Sequence, residues 1–230
     1  MTYTSGQAVL GAANDLRGKL ISRASELFES DEDQVELVSG SFVIKGDASR
    51  TVTLQEVPSQ AVTDTHGPIE GQLTYTSPTS EVTGFSAQVA EVEVDPETGK
   101  VTILNFTVVQ DAGKAIHPSY VEGQLQGGAV QGIGWALNEE YFFDDQGQMA
   151  NASFLDYRMP TSLDLPMIDT VIVEVANPGH PYGVRGVGEA AIVPPMAAIA
   201  NAIKGSAGVR MNSLPMTPGK VLDAISGEGK

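Results

Sequence analysis

The sixteen residues Gly179-His-Pro-Tyr-Gly-Val-Arg-Gly-Val-Gly-Glu-Ala-Ala-Ile-Val-Pro194 constrain this chain more than any other stretch. Glycines at 179, 183, 186 and 188 crowd just ahead of an apolar run with helical spacing. Glycine takes backbone angles closed to other residues and lets the main chain lie close to a ligand, so the stretch reads as a loop wrapped against something. A phosphate cradle would close with lysine and a hydroxyl residue, or would show dinucleotide spacing after a strand. This loop closes with Glu189, which points to acid–base chemistry. The residues alone leave a second reading open, a tight turn that simply sets Glu189 at the positive end of a helix.

Such a loop needs a core to hang from, and 230 residues with 41% hydrophobic content can bury one. Composition also excludes several functions. Cysteine is absent, which removes disulfides, thiolate nucleophiles and protein-ligated iron–sulfur clusters. His66, His117 and His180 are far apart and form no ligand-spaced pair, so no protein-held metal is expected. A net charge of −16 argues against nucleic acid, whose binding depends on cationic contacts to phosphate. No apolar run approaches the length of a membrane span, and the N-terminus lacks the basic and apolar regions of a signal peptide, so a cytoplasmic protein is expected. The acidic stretch 29–33 and the pair Glu139 and Glu140 read as solvated surface.

Along the chain, Ser5 is placed to cap a helix over about residues 6–29, with Val9, Ala13, Leu16, Leu20, Ala24 and Leu27 as its apolar stripe. Residues 34–38 and 41–45 flank a Ser-Gly pair and predict a hairpin, 51–54 a further strand, and 57–68 a surface loop. Residues 88–94 alternate, Asp95-Pro-Glu-Thr-Gly99 turns, and 101–109 return. Residues 117–137 read as a helix despite Gly123, Gly127, Gly128, Gly132 and Gly134. Each of these weakens it by about 0.5–1 kcal/mol relative to alanine, which implies close packing by another helix or by a bound group. A turn at 144–147, strands at 152–158 and 170–175, and a helix whose buried face holds Ile192, Met196, Ile199, Ala200 and Ile203 complete the reading. Hairpins and helices without regular strand–helix crossovers predict an α+β fold, with mixed and antiparallel sheets against packed helices.

The glycine loop does not stand alone. Val109-Gln-Asp-Ala-Gly-Lys-Ala-Ile-His-Pro118 leads into Glu122-Gly-Gln-Leu-Gln-Gly-Gly-Ala-Val-Gln-Gly-Ile-Gly-Trp-Ala-Leu137. Phe154-Leu-Asp-Tyr-Arg-Met-Pro-Thr161 and Pro215-Met-Thr-Pro-Gly-Lys-Val-Leu222 follow. In this order and spacing the set resembles the C-terminal part of the molybdenum-cofactor-binding large subunit of the molybdenum hydroxylases, the xanthine dehydrogenase family. The resemblance covers nearly the whole chain and implies one cofactor-binding domain over 1–230. Large subunits of that family are several times longer, so it also implies either a subunit split into two polypeptides, with the N-terminal half on another chain, or an excised or truncated fragment.

The resemblance implies the chemistry too. Members place a water-derived oxygen on an electron-poor carbon of an N-heterocycle or aldehyde, with a glutamate as general base; Glu189 matches it, with Gly186, Val187 and Gly188 carrying the main chain past the cofactor. Gln131 matches a pterin-contacting glutamine, an amide being both donor and acceptor. Asp111, Gly113 and Lys114 lie where bacterial members approach the cofactor's dinucleotide extension, the cytosine form being expected, and Lys114 could pair with its pyrophosphate. His117 stands where asparagine is more usual. Ser5 and Gly6 match an edge contact to the pterin, a plain helix cap being the alternative for Ser5. The implied cofactors are molybdopterin with molybdenum here, and iron–sulfur clusters and FAD on partner chains. The partners are the chain bearing the N-terminal half, iron–sulfur and flavin subunits, and a small-molecule substrate, with no nucleic acid and no membrane. The alternatives are a non-catalytic assembly fragment, or a carbon monoxide dehydrogenase or hydroxybenzoyl-CoA reductase component.

Overall fold

The computed structural model describes residues 2–63, 67–76 and 83–227, and the chain divides into two compact units, residues 1–80 and 81–230. In the first, helix α1 (Thr2–Phe28) packs on an antiparallel sheet in the order β1 (Val35–Val38), β2 (Ser41–Ile44), β3 (Asp47–Thr53). The hairpin between β1 and β2 closes through Ser39 and Gly40, both at positive φ, the turn geometry whose twist matches paired strands. Leu20, Ala24, Phe28, Val35, Phe42 and Val57 form the core.

Three expectations fail in this unit. Helix α1 starts ahead of Ser5, so Ser5 is an interior helix residue and caps nothing; Val9, in the expected apolar stripe, is 70% exposed. The region expected as a surface loop at 57–68 contains helix α2 (Glu56–Thr63), with Val57 wholly buried. The cause is a reciprocal cap. The Glu56 carboxylate accepts from Thr53 N and Oγ1 at 2.8 Å each, and Glu56 N donates to Thr53 Oγ1 at 3.3 Å. Residues 64–66 of that expected loop, His66 included, lie outside the described residues.

The second unit is built on β4 (Ser86–Val94) and β5 (Val101–Asp111), an antiparallel pair. Its turn is held by the Asp95 carboxylate, which accepts from Glu97 N at 2.9 Å and Thr98 Oγ1 at 2.8 Å. Gly99, at φ 71°, has no room for a side chain, since a Cβ would fall 2.1 Å from Pro218 O. Helix α3 (Pro118–Leu137) then carries the chain back so that β6 (Ile168–Val173) pairs parallel with β5. A strand–helix–strand crossover is therefore present once, in a fold that is otherwise α+β as expected. Helices α3, α4 (Pro195–Ala207) and α5 (Pro218–Ser226) enclose a core that includes Phe106, Val108, Leu125, Ile133, Ile199, Ile203, Met216 and Val221. Burying each such side chain contributes roughly 1.5–3 kcal/mol.

The expected strand at 152–158 is a run of turns. Ser153 Oγ donates to Asp156 at 2.7 Å and Ser153 O accepts from Tyr157 N at 2.8 Å, so local side-chain and turn bonds replace strand pairing. The strand expected at 170–175 begins two residues earlier, at Ile168.

Candidate active site

Parallel neighbours deliver the loops that follow them to the same edge of a sheet. The segment after β5 and the segment after β6 meet there, with Ala112 N donating to Val173 O and Arg185 N to Ala112 O, both at 2.9 Å, and with a bridge between Gly113 and Val184. Asp111 is the hub. Its carboxylate, almost buried, accepts from Gly113 N at 2.9 Å, Val175 N at 3.2 Å and Arg185 Nε at 3.0 Å. Arg185 reaches on to Val175 O and Thr83 O. Gly113 has φ 62°, and a Cβ there would sit 2.3 Å from Gly183 O, so only glycine fits. Asp111 and Gly113 thus serve the frame itself. The Lys114 backbone also belongs to the frame, its N–H donating to Gly183 O at 2.8 Å, while its side chain is exposed, with Nζ 3.3 Å from Glu174. The bonds to Glu174 from Ala115 N and then from Lys114 hold the Glu174 carboxyl below the usual range.

The frame delivers residues 186–191 over the inner face of the sheet, where β4 and β5 change from apolar to polar. Ala90, Val92, Phe106 and Val108 pack into the core. Ser86, Gln88 and Gln110, continuing the same alternation, lie under the loop. Gln110 Nε2 donates to Gly186 O at 3.3 Å, Gln88 Nε2 to Ala191 O at 2.8 Å, and Gln124 Nε2, from α3, to Gly188 O at 2.8 Å. Three amides from three elements therefore hold three carbonyls around Glu189. The Glu189 side chain is exposed at the start of a 3-10 turn, Ala190–Ile192, and makes no hydrogen bond or ion pair among the described residues. Val187 is half-buried, and Gly186 and Gly188 are exposed. The three tethering glutamines were missed in the sequence. Gln88 and Gln110 are polar residues at inward positions of alternating strands, which marks them as unusual but does not name their partners, and Gln124 on α3 carries no such mark.

Helix α3 shows two faces. On one, Gly128 and Gly132 let Ala191, Ile192 and Pro195 approach so closely that a Cβ would meet them at 2.7–2.8 Å. Helix-on-helix packing explains these two glycines. On the other, Tyr120, Gly123, Gln124, Gly127, Gln131 and Trp135 form an exposed stripe at three- and four-residue spacing. Gln131 lies two turns beyond Gln124, about 10 Å along the axis. A Cβ on Gly123 or Gly127 meets nothing within 4 Å. The His117 and Tyr120 rings stack at 3.9 Å at the start of the stripe. Ser5 and Gly6 lie in α1 of the first unit, Ser5 exposed.

The family model for the molybdopterin cofactor-binding domain matches residues 1–166. The gamma subunit of the 6-hydroxypseudooxynicotine dehydrogenase complex of Paenarthrobacter nicotinovorans is 35% identical over 238 residues, covering 100% of this chain and 30% of that one. The xanthine dehydrogenase molybdenum-binding subunit of Escherichia coli O157:H7 is 34% identical over 227 residues, covering 96% of this chain and 30% of that one. Among solved structures, quinoline 2-oxidoreductase from Pseudomonas putida 86 matches with a TM-score of 0.72 and 30% identity, over 93% of this chain and 28% of that one. This chain spans about 30% of the length of the relatives it matches. By sequence and by fold, the chain belongs to the molybdopterin cofactor-binding domain family, within the xanthine dehydrogenase group.

Proposed function

We propose that this chain is the base-donating part of a molybdenum hydroxylase that places a water-derived oxygen on a carbon of an N-heterocycle or an aldehyde. The observation that carries the reading is Glu189, an exposed carboxylate without a partner among the described residues, on a loop whose flanking carbonyls are tethered on both sides. A carboxylate that stabilised the fold would be paired. One kept unpaired on a braced backbone is suited to take a proton from an incoming oxygen nucleophile.

The residues present fit a molybdopterin. Gly186, Gly188, Gly123 and Gly127 have no positive φ and no neighbour that a Cβ would strike, so this chain's own packing does not require glycine there. The two in α3 weaken the helix by roughly 0.5–1 kcal/mol each, a cost that close approach by an outside body accounts for. Ser86 Oγ, Gln88 Oε1 and Gln110 Oε1 are buried without partners among the described residues, whereas buried polar atoms are normally matched. When bound, the cofactor supplies the redox centre that accepts the electrons removed from the substrate.

In this reading Gln131 holds the pterin edge with an amide that both donates and accepts. Gly186, Val187 and Gly188 pass the main chain alongside it. Lys114, free to leave Glu174, pairs with the pyrophosphate of a cytosine dinucleotide form, while Asp111 and Gly113 keep the Lys114 loop in place. The rest of the cofactor's surroundings comes from polypeptide beyond this chain, and iron–sulfur clusters and a flavin reside on partner chains of a hetero-oligomer. Relatives about three times as long, one of them named as a subunit of a complex, support the further polypeptide and the partner chains. Replacing Glu189 by glutamine in the assembled enzyme tests the proposal, since the amide keeps the size and cannot take the proton.

A further inference from the structure

We propose that Gln124 is a positioning residue for Glu189: by holding Gly188 O it sets the direction in which the carboxylate leaves the loop. The inference rests on the reading of Glu189 as the base. Counted from Glu189, the tethers fall three residues before (Gln110 on Gly186 O), one before (Gln124 on Gly188 O) and two after (Gln88 on Ala191 O).

The after-side is fixed independently, because Ala191 and Ile192 are wedged against Gly128 and Gly132 of α3. The before-side has no such wedge. Gly186 and Gly188 carry no side chain, and the N–H groups of Gly186, Val187, Gly188 and Glu189 find no acceptor among the described residues. The Gln110 bond is the longest of the three, at 3.3 Å. The orientation of the 188–189 peptide therefore depends on the single 2.8 Å bond from Gln124. Without that bond the φ and ψ of Gly188 and the φ of Glu189 lose their restraint between the Gly186 tether and the 3-10 turn, where Ile192 N donates to Glu189 O at 3.3 Å, and these torsions together aim the Glu189 side chain. With its carbonyl held toward α3, the N–H groups beside it stay available to a bound group.

The same helix carries Gln131 on the same exposed stripe. A single rigid element thus reaches both the residue proposed to hold the cofactor and the peptide that aims the base. A rigid mount for both is what a proton transfer between fixed partners needs, since a misplacement of about 1 Å can lower a rate about 10²-fold.

The test uses the assembled holoenzyme with Gln124→Met, Gln124→Glu and Glu189→Gln, probed with hypoxanthine, nicotinate and benzaldehyde. Gln124 is exposed, so methionine there leaves the core intact. Gln124→Met is expected to keep its molybdenum content and to speed backbone hydrogen exchange in the peptide covering 186–191. It should lower kcat by about 10- to 100-fold, with KM within about twofold. Taken as a ratio to Gln124→Met at each pH, so that protonation of Glu189 cancels, the rate of Gln124→Glu should be higher at low pH, where a protonated carboxyl donates to Gly188 O, and fall as that carboxyl ionises. This adds a limb to the pH profile that Gln124→Met lacks. Unchanged exchange in Gln124→Met, or faster exchange with unchanged kcat, overturns the positioning role. A Glu189→Gln rate above about a tenth of wild type overturns the base reading and the catalytic half of this inference; the exchange data then still decide whether the tether exists.

Discussion

Arg185 Nε lies 3.0 Å from Asp111 Oδ2, with both side chains at most 15% exposed. The pair joins the end of β5 to the glycine loop, and the same carboxylate also accepts from Gly113 N and Val175 N. Removing the cation strands a buried carboxylate, which typically costs about 3–5 kcal/mol. Asp111→Asn leaves the Arg185 cation unpaired in turn, so Arg185→Met and Asp111→Asn should each lower the urea midpoint clearly, the asparagine variant somewhat less because it keeps an acceptor for both amides and Arg185 keeps Val175 O and Thr83 O. An unchanged midpoint in Arg185→Met would mean that the charge pairing contributes nothing to the fold.

Glu189→Gln in the assembled enzyme should abolish turnover with molybdenum content nearly intact, since loss of a general base lowers rates by about 10²- to 10⁴-fold. Steady-state rates normalised to bound metal decide this, and a variant keeping more than about a tenth of the wild-type rate removes Glu189 from the role.

Gln131→Ala is expected to act on occupancy. The exposed amide makes no bond within the described chain, so its loss should leave folding untouched and lower the molybdenum content, with a much smaller change in rate per bound metal. A collapse in rate at full occupancy would reverse the roles given to Gln131 and Glu189.

The pH dependence of stability should carry a histidine signature. His180 is buried within the 177–183 turns, its Nδ1 accepting from Tyr182 N at 3.1 Å, and burial holds its imidazole below the ordinary value. The fold thus favours the neutral ring. Below the unfolded value of about 6.5 the unfolded chain binds a proton that the folded one resists. The His180 contribution is therefore complete above that pH and declines as pH falls toward the folded value. Between about pH 7 and pH 5, Tm should fall more in the wild type than in His180→Asn, which keeps an acceptor but does not titrate. Parallel curves would contradict this.

How much of this was legible in the sequence depended on where the deciding bond lay. The 88–109 hairpin and the 117–137 helix are written in local periodicity, and both formed as expected. Helix α2 was legible in principle, because Thr53-Leu-Gln-Glu56 is a capping pair, but the polar, turn-rich character of 57–68 outweighed it. The 153–157 turns were obscured because Phe154, Leu155 and Tyr157 suit a strand while Ser153 and Asp156 bond locally. At the site, Glu189 and Gln131 could be named by motif. The tethers could not, since Gln88, Gln110 and Gln124 act through contacts 64 to 103 residues away. Nor could the division of the α3 glycines into a packed face and an open one.

A fifth expectation concerns this chain produced alone. Phe154, Leu155, Leu163 and Met167 are each more than 80% exposed, an apolar concentration of the kind that marks interaction surfaces. Size-exclusion chromatography should show self-association despite the net charge of −16, and metal analysis should find no retained molybdenum, because one wall of a cleft cannot bury most of a ligand. A monomer with stoichiometric molybdenum would show that the chain holds the whole site.

For protein engineering, the three tethers change what counts as a transferable part. The Gly-Val-Gly-Glu segment takes its shape from β4, β5 and α3, so grafting those four residues into a relative would move the letters and lose the geometry. The smallest block that carries its own bracing runs from β4 through the 3-10 turn after Glu189. Chimeras intended to change substrate preference should place their crossovers outside residues 86–192.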